Sequence, residues 1–208
     1  MENMGKILER FSCANWLLIN ESKVDEFINQ FKLKLLAKCN SWKETQKIST
    51  EKKPVNAATI LFYNIDKLII SSSIKGYRII EGKSIYYLYD EFCKYLSRNA
   101  EVYRFYIDIW IPAMLFEYYK NEHLVRHCEY KIDDDKALAM SAKGEKLKFE
   151  DEELELPHPE YGYDIFYYPL SIMNYLGISN EDILNSLNDN HSVYILDNDF
   201  VNAIKRNQ

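Results

Sequence analysis

The spacing of apolar residues is the feature that most constrains the fold of this chain. Between residues 24 and 39 the apolar side chains recur at three- and four-residue steps, at Val24, Phe27, Phe31, Leu35 and Cys39. Steps of this size place side chains on one face of an α-helix. Ser22 is followed three residues later by Asp25, in the order of a capping box. The pattern therefore predicts an amphipathic helix that begins after Ser22.

Similar patterns predict helices along most of the chain. The predicted helices cover residues 54–76, 84–110, 116–131, 135–144, 163–177, 180–189 and 199–205. Ser179 and Asn180 can cap the helix at 180–189, and Asp197 can cap the last one. Residues 77–81 could be helix or strand, and residues 192–196 favour an extended segment. We therefore predict a mainly α protein. It is a single domain over residues 1–208, a multi-helix bundle with room for one short extended segment or hairpin.

Composition narrows the class of protein. With 208 residues, 47% of them hydrophobic and 28% charged, the chain can bury a sizeable core. No apolar run approaches the roughly 20 residues of a membrane helix, and the N-terminus lacks the pattern of a signal peptide. The four cysteines are widely spaced, as expected for small buried side chains rather than a zinc site. These features predict a cytoplasmic protein without a membrane segment.

The negative charge is concentrated in one segment. Residues 133–155 contain nine acidic residues and four lysines, which gives −5 of the total net charge of −6. Such a segment repels the phosphates of nucleic acids, so direct nucleic-acid binding is disfavoured. We predict an exposed acidic loop or insertion around residues 143–161. Solvation of a surface loop is one explanation of its composition, and docking of a basic protein partner is the other.

The docking hypothesis gives a set of candidate contact residues. They are Asp133, Asp134, Asp135, Glu150, Asp151, Glu152, Glu153 and Glu155. Asp133 or Asp134 has a second interpretation, as the cap of the predicted helix 135–144. The 17 tyrosines also have two interpretations, because tyrosine packs between structural elements and also dominates binding surfaces.

His123 and His127 are four residues apart, the spacing of paired zinc ligands on a helix. The intervening residues are Leu-Val-Arg, so the glutamate base of a zinc protease is missing. On a helix the two histidines share a stripe with Lys120 and Lys131, and those cations oppose metal binding. A solvated helix end therefore explains the pattern better than a metal site with His123 and His127 as ligands.

No catalytic signature occurs elsewhere in the chain. The serines at 71–73 lack the flanking glycines of an esterase nucleophile, and no glycine-rich phosphate loop is present. Cys128 follows His127 directly, but adjacent helical residues do not face each other. We therefore predict a protein that is not an enzyme and that uses no cofactor.

Three stretches resemble a known family. They are "NAATILFYNIDKLIIS" near residue 56, "YDIFYYPLSIMNYLGI" from residue 163, and "VYILDNDFVNAI" from residue 193. Together they resemble the all-helical immunity proteins of bacterial polymorphic toxin systems. The resemblance covers about half of the chain, contains no diagnostic motif, and implies a non-catalytic cytoplasmic protein that binds and neutralises a cognate toxin.

Two other functions are compatible with the same residues. One is a phage or mobile-element inhibitor of a host nuclease or defence protein, which would use the acidic segment. The other is a metal-dependent helical hydrolase with His123, His127 and an aspartate from 133–135 as ligands. A toxin gene beside the gene of this chain would favour immunity, and a phage early region would favour the inhibitor.

Overall fold

A large antiparallel sheet dominates the computed structural model, which describes residues 6–7, 15–55, 58–88, 90–108, 113–133, 136–151 and 168–206. Its nine strands are β1 (Asn15–Asn20), β2 (Lys34–Cys39), β5 (Lys67–Ile70), β6 (Tyr77–Glu81), β7 (Glu101–Asp108), β8 (Ala113–Lys120), β9 (His123–Asp133), β10 (Lys136–Lys143) and β11 (His191–Ile195). β3 (Thr50–Val55) and β4 (Ala58–Tyr63) form a separate two-stranded ribbon.

The strands follow the order β10-β9-β8-β7-β1-β6-β5-β11-β2. Strands β7 to β10 form a meander of consecutive hairpins, so their order in the sheet follows the chain. β1 pairs with β7 on one side and with β6 on the other, and it lies at the centre of the sheet. β11 comes from the far end of the chain and inserts between β5 and β2.

The prediction of a mainly α multi-helix bundle over residues 1–208 is wrong. The predicted helix 54–76 contains the end of β3 and all of β4 and β5, and the predicted helix 116–131 contains most of β8 and β9. The aromatic and β-branched residues that fill these segments favour strands. A strand buried on both faces is apolar at almost every position, so it also satisfies helical spacing. All four central residues of β1, from Trp16 to Ile19, are buried.

Six helices lie among the described residues, and they pack on both faces of the sheet. They are α1 (Val24–Gln30), α2 (Trp42–Ser49), α3 (Asp90–Leu96), α4 (Tyr168–Tyr175), α5 (Asn180–Ser186) and α6 (Asn198–Arg206). No helix within these residues is long and apolar enough to cross a membrane.

Each face of the sheet carries its own hydrophobic core. On one face Trp16, Phe105 and Phe116 pack beneath Ile172 of α4 and Ile183 of α5. The rings of Trp16 and Phe105 lie with their centroids 4.2 Å apart. The alternation of side chains along β1 and β7 sends neighbouring residues into opposite cores, so the sheet separates two apolar layers.

The second core lies on the other face, beneath α1, α3 and α6. Leu17 and Ile19 of β1 pack there against Phe27 of α1, Cys93 of α3 and Val201 of α6. The helices on this face are short, with seven to nine residues each. Their stability therefore depends on packing against the sheet rather than on helix propensity.

Several local predictions are confirmed. Ser179 caps α5 through a capping box with Asp182, and Asp197 accepts a hydrogen bond from the backbone of Asp199 at the start of α6. Gly177 follows α4 with a φ of +79°, as expected for a glycine after a helix. The extended segment near 192–196 is strand β11. These signals depend on local chemistry, which explains why they were visible in the sequence.

Candidate functional site

The structure describes only part of the predicted acidic contact set. Asp133 is the last residue of β9, so it does not cap a helix at 135–144; that segment forms β10 instead. Glu150 and Asp151 belong to a 3₁₀ helix, Lys148–Asp151, which follows β10. The remaining predicted contacts lie outside the described residues; they are Asp134, Asp135, Glu152, Glu153 and Glu155.

Glu150 has a structural partner within the protein. Its Oε1 accepts a hydrogen bond from Nε of Arg126 at 3.0 Å, and its Oε2 accepts one from Nη2 at 2.7 Å. The side chain of Glu150 is 4% exposed and that of Arg126 is 6% exposed. Two parallel hydrogen bonds between a guanidinium and a carboxylate give a directional contact. The carboxylate of Glu150 is therefore occupied inside the protein.

Arg126 also joins the strands to the turn that follows β10. Its Nη1 donates to the carbonyl oxygens of Gly144 at 2.9 Å and Lys143 at 3.3 Å. The backbone N–H of Leu147 donates to Glu150 Oε1 at 3.0 Å. We call Arg126, Glu150 and these backbone groups the anchor. It fixes the 3₁₀ helix against β9, so the residues that begin the acidic segment have a defined position beside the sheet.

The two histidines do not form a pair of metal ligands on one face. They lie on strand β9, where His127 is opposite Glu117 and His123 is opposite Lys120. An extra residue, Val125, interrupts the pairing between them and changes the alternation of faces. Within the described part of the chain, no three His, Cys, Asp or Glu side chains come together as a metal site.

His127 instead belongs to a polar network on the face of α3. Its Nδ1 lies 3.2 Å from Oε1 of Glu117, and its Nε2 lies 3.7 Å from Oε1 of the half-exposed Glu129. The other oxygen of Glu117 accepts hydrogen bonds from Arg104 at 3.0 Å and from the hydroxyl of Tyr119 at 2.9 Å. A continuous path of polar contacts thus connects buried Arg104 with the surface at Glu129.

The arrangement around Arg104 satisfies its buried charge. Its guanidinium also donates to the carbonyl oxygen of Tyr86 at 2.9 Å and contacts Asp90 at 3.4 Å. Buried ions are tolerated only when their hydrogen-bonding groups are paired, so these contacts explain how a charge can lie within the sheet. The network is therefore a structural support beneath the exposed parts of β8 and β9.

Three of the cysteines are buried free thiols, as predicted; they are Cys39, Cys93 and Cys128, while Cys13 lies outside the described residues. Burial raises the pKa of the Cys93 thiol to about 12. The thiolate is the reactive form of cysteine, so Cys93 is a packing residue rather than a nucleophile.

A second polar cluster, around Glu101, gives a prediction about pH. Burial alone would raise the pKa of Glu101, but hydrogen bonds from Lys120, Tyr118 and Tyr103 outweigh it and hold the pKa below its ordinary value of 4.5. Ionised Glu101 therefore stabilises the folded state above that value, and its contribution is lost as the pH falls through the folded pKa.

We expect Glu101→Gln to lower the free energy of unfolding at neutral pH and to have a smaller effect at about pH 3. Urea unfolding of both proteins at the two pH values measures this difference. A loss of stability that is the same at both pH values would contradict the role of the ionised carboxylate.

Sequence reasoning missed the arginines that organise these clusters. Arg126 lies in the Leu-Val-Arg insert between the two histidines, and Arg104 lies within the predicted helix 84–110. The signal that could have found Arg104 is the alternation in "EVYRFYID", where one polar residue interrupts the inward side of a strand. Arg126 pairs with a residue 24 positions away, and no local pattern encodes that contact.

The chain matches no family model, no curated protein and no solved structure. The resemblance to all-helical immunity proteins is wrong, because a nine-stranded antiparallel sheet dominates the fold. It rested on three stretches, and the first two differ from the expected helices. Residues 58–63 form β4, and of the second stretch only residues 168–175 form a described helix. The sheet excludes an all-helical fold.

Proposed function

We propose that this chain is a non-catalytic binding protein that neutralises a cationic protein, such as a basic bacterial toxin, by direct contact. The contact surface in this proposal is the acidic segment that follows the anchor. A cytoplasmic location, expected from the sequence, is part of the same proposal. The proposal depends on charge and on the position of the segment and takes no support from family membership.

The observation that carries the proposal is the pairing of Arg126 with Glu150. The carboxylate of Glu150 is bound to Arg126 and is therefore not available to a partner. The same pairing fixes Glu150 directly before the other acidic residues, which begin at Asp151. From Asp151 to Glu155, four of the five residues are acidic and none is basic. The paired Glu150 thus gives the start of the acidic segment a fixed position on the sheet. We therefore assign Glu150 a positioning role and Asp151, Glu152, Glu153 and Glu155 the contacts.

Charge reversal tests the contact residues. We expect the variant D151K/E152K/E153K to associate with a cationic partner at least about tenfold more slowly at low salt, because complementary charge accelerates association. The partner to test is the product of the gene adjacent to the one that encodes this chain. Stopped-flow mixing of the two proteins gives the association rate constant, and growth during co-expression shows whether neutralisation is lost.

A matched variant controls for the change in net charge. E181K/D189K/D199K reverses three exposed acids in the C-terminal part of the chain and changes the net charge by the same amount. We expect a clearly smaller change in the association rate constant for this control. Equal rate constants for the wild type and D151K/E152K/E153K at low salt would contradict the proposal.

A further inference from the structure

The last strand of the sheet, β2, has one edge free of strand pairing within the described residues. β2 pairs with β11 through residues 34–39, and none of the described strands lies on its other side. An antiparallel strand directs about half of its backbone N–H and C=O groups to each side. The outer edge of β2 is therefore a template to which another extended segment can bind through backbone hydrogen bonds.

Two leucines are exposed at this edge. Leu35 is 50% exposed and Leu36 is 43% exposed, in contrast to buried Leu33, which directly precedes the strand, and buried Cys39 at its end. The register explains the exposure, because Ala37 pairs with Val193 and Leu35 pairs with Tyr194, which leaves Leu36 as an extra residue. Such a bulge makes a strand bend and twist more strongly. Burial of residues on both sides of the two exposed leucines holds this part of the chain in place as a strand.

The charge along β2 itself is positive, and the nearest acid along the chain is Glu44, which accepts a hydrogen bond from the backbone N–H of Asn40 just after the strand. Residues 31–43 contain four lysines and no acidic residue, and all four lysines are exposed: Lys32, Lys34, Lys38 and Lys43. Lys34 is opposite Ile195 and Lys38 is opposite Ser192, so no acid on β11 faces them across the pairing. A second copy of β2 at this edge would place lysines next to lysines, and like charges in paired strands repel. The occupant that fits is acidic.

The bulge at Leu36 places Lys34 and Lys38 on opposite faces of the sheet, because their partners Ile195 and Ser192 are three residues apart on β11. We propose that the outer edge of β2 binds, as an additional strand, an extended segment of a partner protein that carries acidic residues on both faces and apolar residues between them. Backbone hydrogen bonds to β2 supply the pairing. Carboxylates on the two faces of the partner segment lie near Lys34 and Lys38, and its apolar side chains cover Leu35 and Leu36. The lysines at the edge repel a second copy of this chain. The leucines provide apolar contact area, which an edge strand that only prevents aggregation would not expose.

This edge is distinct from the anchor and the acidic segment. β10 and β2 are the opposite ends of the nine-stranded sheet, so about 38 Å separates them at about 4.8 Å per strand. The 3₁₀ helix Lys148–Asp151 is joined to β9, next to β10. Both surfaces can therefore be occupied at the same time, and failure of one proposal does not affect the other.

Two labelled peptides of eight residues test the proposal by fluorescence anisotropy with the full chain. One contains leucine, valine and glutamates placed on both faces of the extended chain, and the other has lysine in place of glutamate. We expect the acidic peptide to bind and the basic one not to bind.

K34E/K38E is expected to weaken binding of the acidic peptide at least about tenfold at low salt, and L35T/L36T by a similar factor at all salt concentrations. The control K131E/K143E, which reverses two exposed lysines of β9 and β10, is expected to change binding by less than about threefold.

Amide hydrogen exchange locates the peptide. Bound acidic peptide is expected to slow exchange at backbone amides within residues 34–39, because new hydrogen bonds protect amides that face outward. Four results would overturn the proposal. They are absence of binding by the acidic peptide, equal binding by K34E/K38E and the wild type, protection that appears only outside β2, or self-association of the chain that L35T/L36T abolishes.

Discussion

Arg126→Ala is expected to lower the free energy of unfolding by about 3–5 kcal/mol, because it leaves the buried carboxylate of Glu150 without its cation. The same change removes the donor to the carbonyl oxygens of Lys143 and Gly144. Urea or thermal unfolding of the variant measures the loss. Because the anchor joins β9 to the 3₁₀ helix, we also expect faster hydrogen exchange in residues 144–151.

Two further variants separate the ion pair from other effects of the substitution. Glu145→Ala removes an exposed acid near the anchor and is expected to change stability by less than about 0.5 kcal/mol. The double variant Arg126→Met/Glu150→Leu removes both charges and should recover much of the stability that Arg126→Ala loses. A loss below about 1 kcal/mol for Arg126→Ala would show that the two side chains are not a buried pair.

Gly144→Ala is expected to cost at least about 3 kcal/mol. Gly144 has a φ of +83°, a conformation that strains alanine, and a Cβ at this position would overlap the backbone carbonyl oxygen of Val125. The carbonyl carbon of Val125 would lie only 3.0 Å away. Relief of this overlap requires the turn after β10 to move away from β9, which also disrupts the hydrogen bond from Arg126 to Gly144.

Gly76→Ala provides a matched control for this backbone strain. Gly76 has the same φ of +83°, but a Cβ there meets no atom within 4 Å. Its substitution should therefore cost only the conformational strain, about 1–2 kcal/mol. Chemical denaturation of both variants gives the difference. Equal losses for Gly76→Ala and Gly144→Ala would show that the turn does not approach β9 closely.

Features encoded by neighbouring residues could be predicted from the sequence. The start of α5 depends on Ser179 and Asp182, three residues apart, and the end of α4 depends on Gly177. The burial of Cys93 and Cys128 follows from the chemistry of dispersed cysteines in a globular protein. Each of these features depends only on neighbouring residues and on the general preference of a residue type. A single sequence is therefore enough to identify it.

The sheet could not be predicted in the same way, because several of its strands lack the alternation of apolar and polar residues by which a strand is recognised. β1 is buried on both faces, so its apolar residues do not alternate with polar ones. Extra residues at Val125, Met140 and Leu36 shift the pairing in three places and break the period of two. Apolar residues three or four positions apart then occur by coincidence, and they imitate a helical face.

The candidate site was predictable only as a concentration of charge. The acidic excess in residues 133–155 is visible in the composition, but the role of Glu150 depends on Arg126, which lies 24 residues earlier. The interpretation of His127 failed for a related reason, because its neighbour Glu117 belongs to the adjacent strand. Cross-strand contacts of this kind become visible only when the register is known.

Hydrogen exchange of the chain with and without its cationic partner tests the central claim most directly, since it locates the contact surface. The account predicts slower exchange on binding in the segment that begins with the 3₁₀ helix Lys148–Asp151 and continues through Glu155. It also predicts that D151K/E152K/E153K loses this protection while its exchange in β1 and β7 stays the same. Protection confined to other surfaces, with no change in residues 148–155, would contradict the claim that the anchored acidic segment is the binding site.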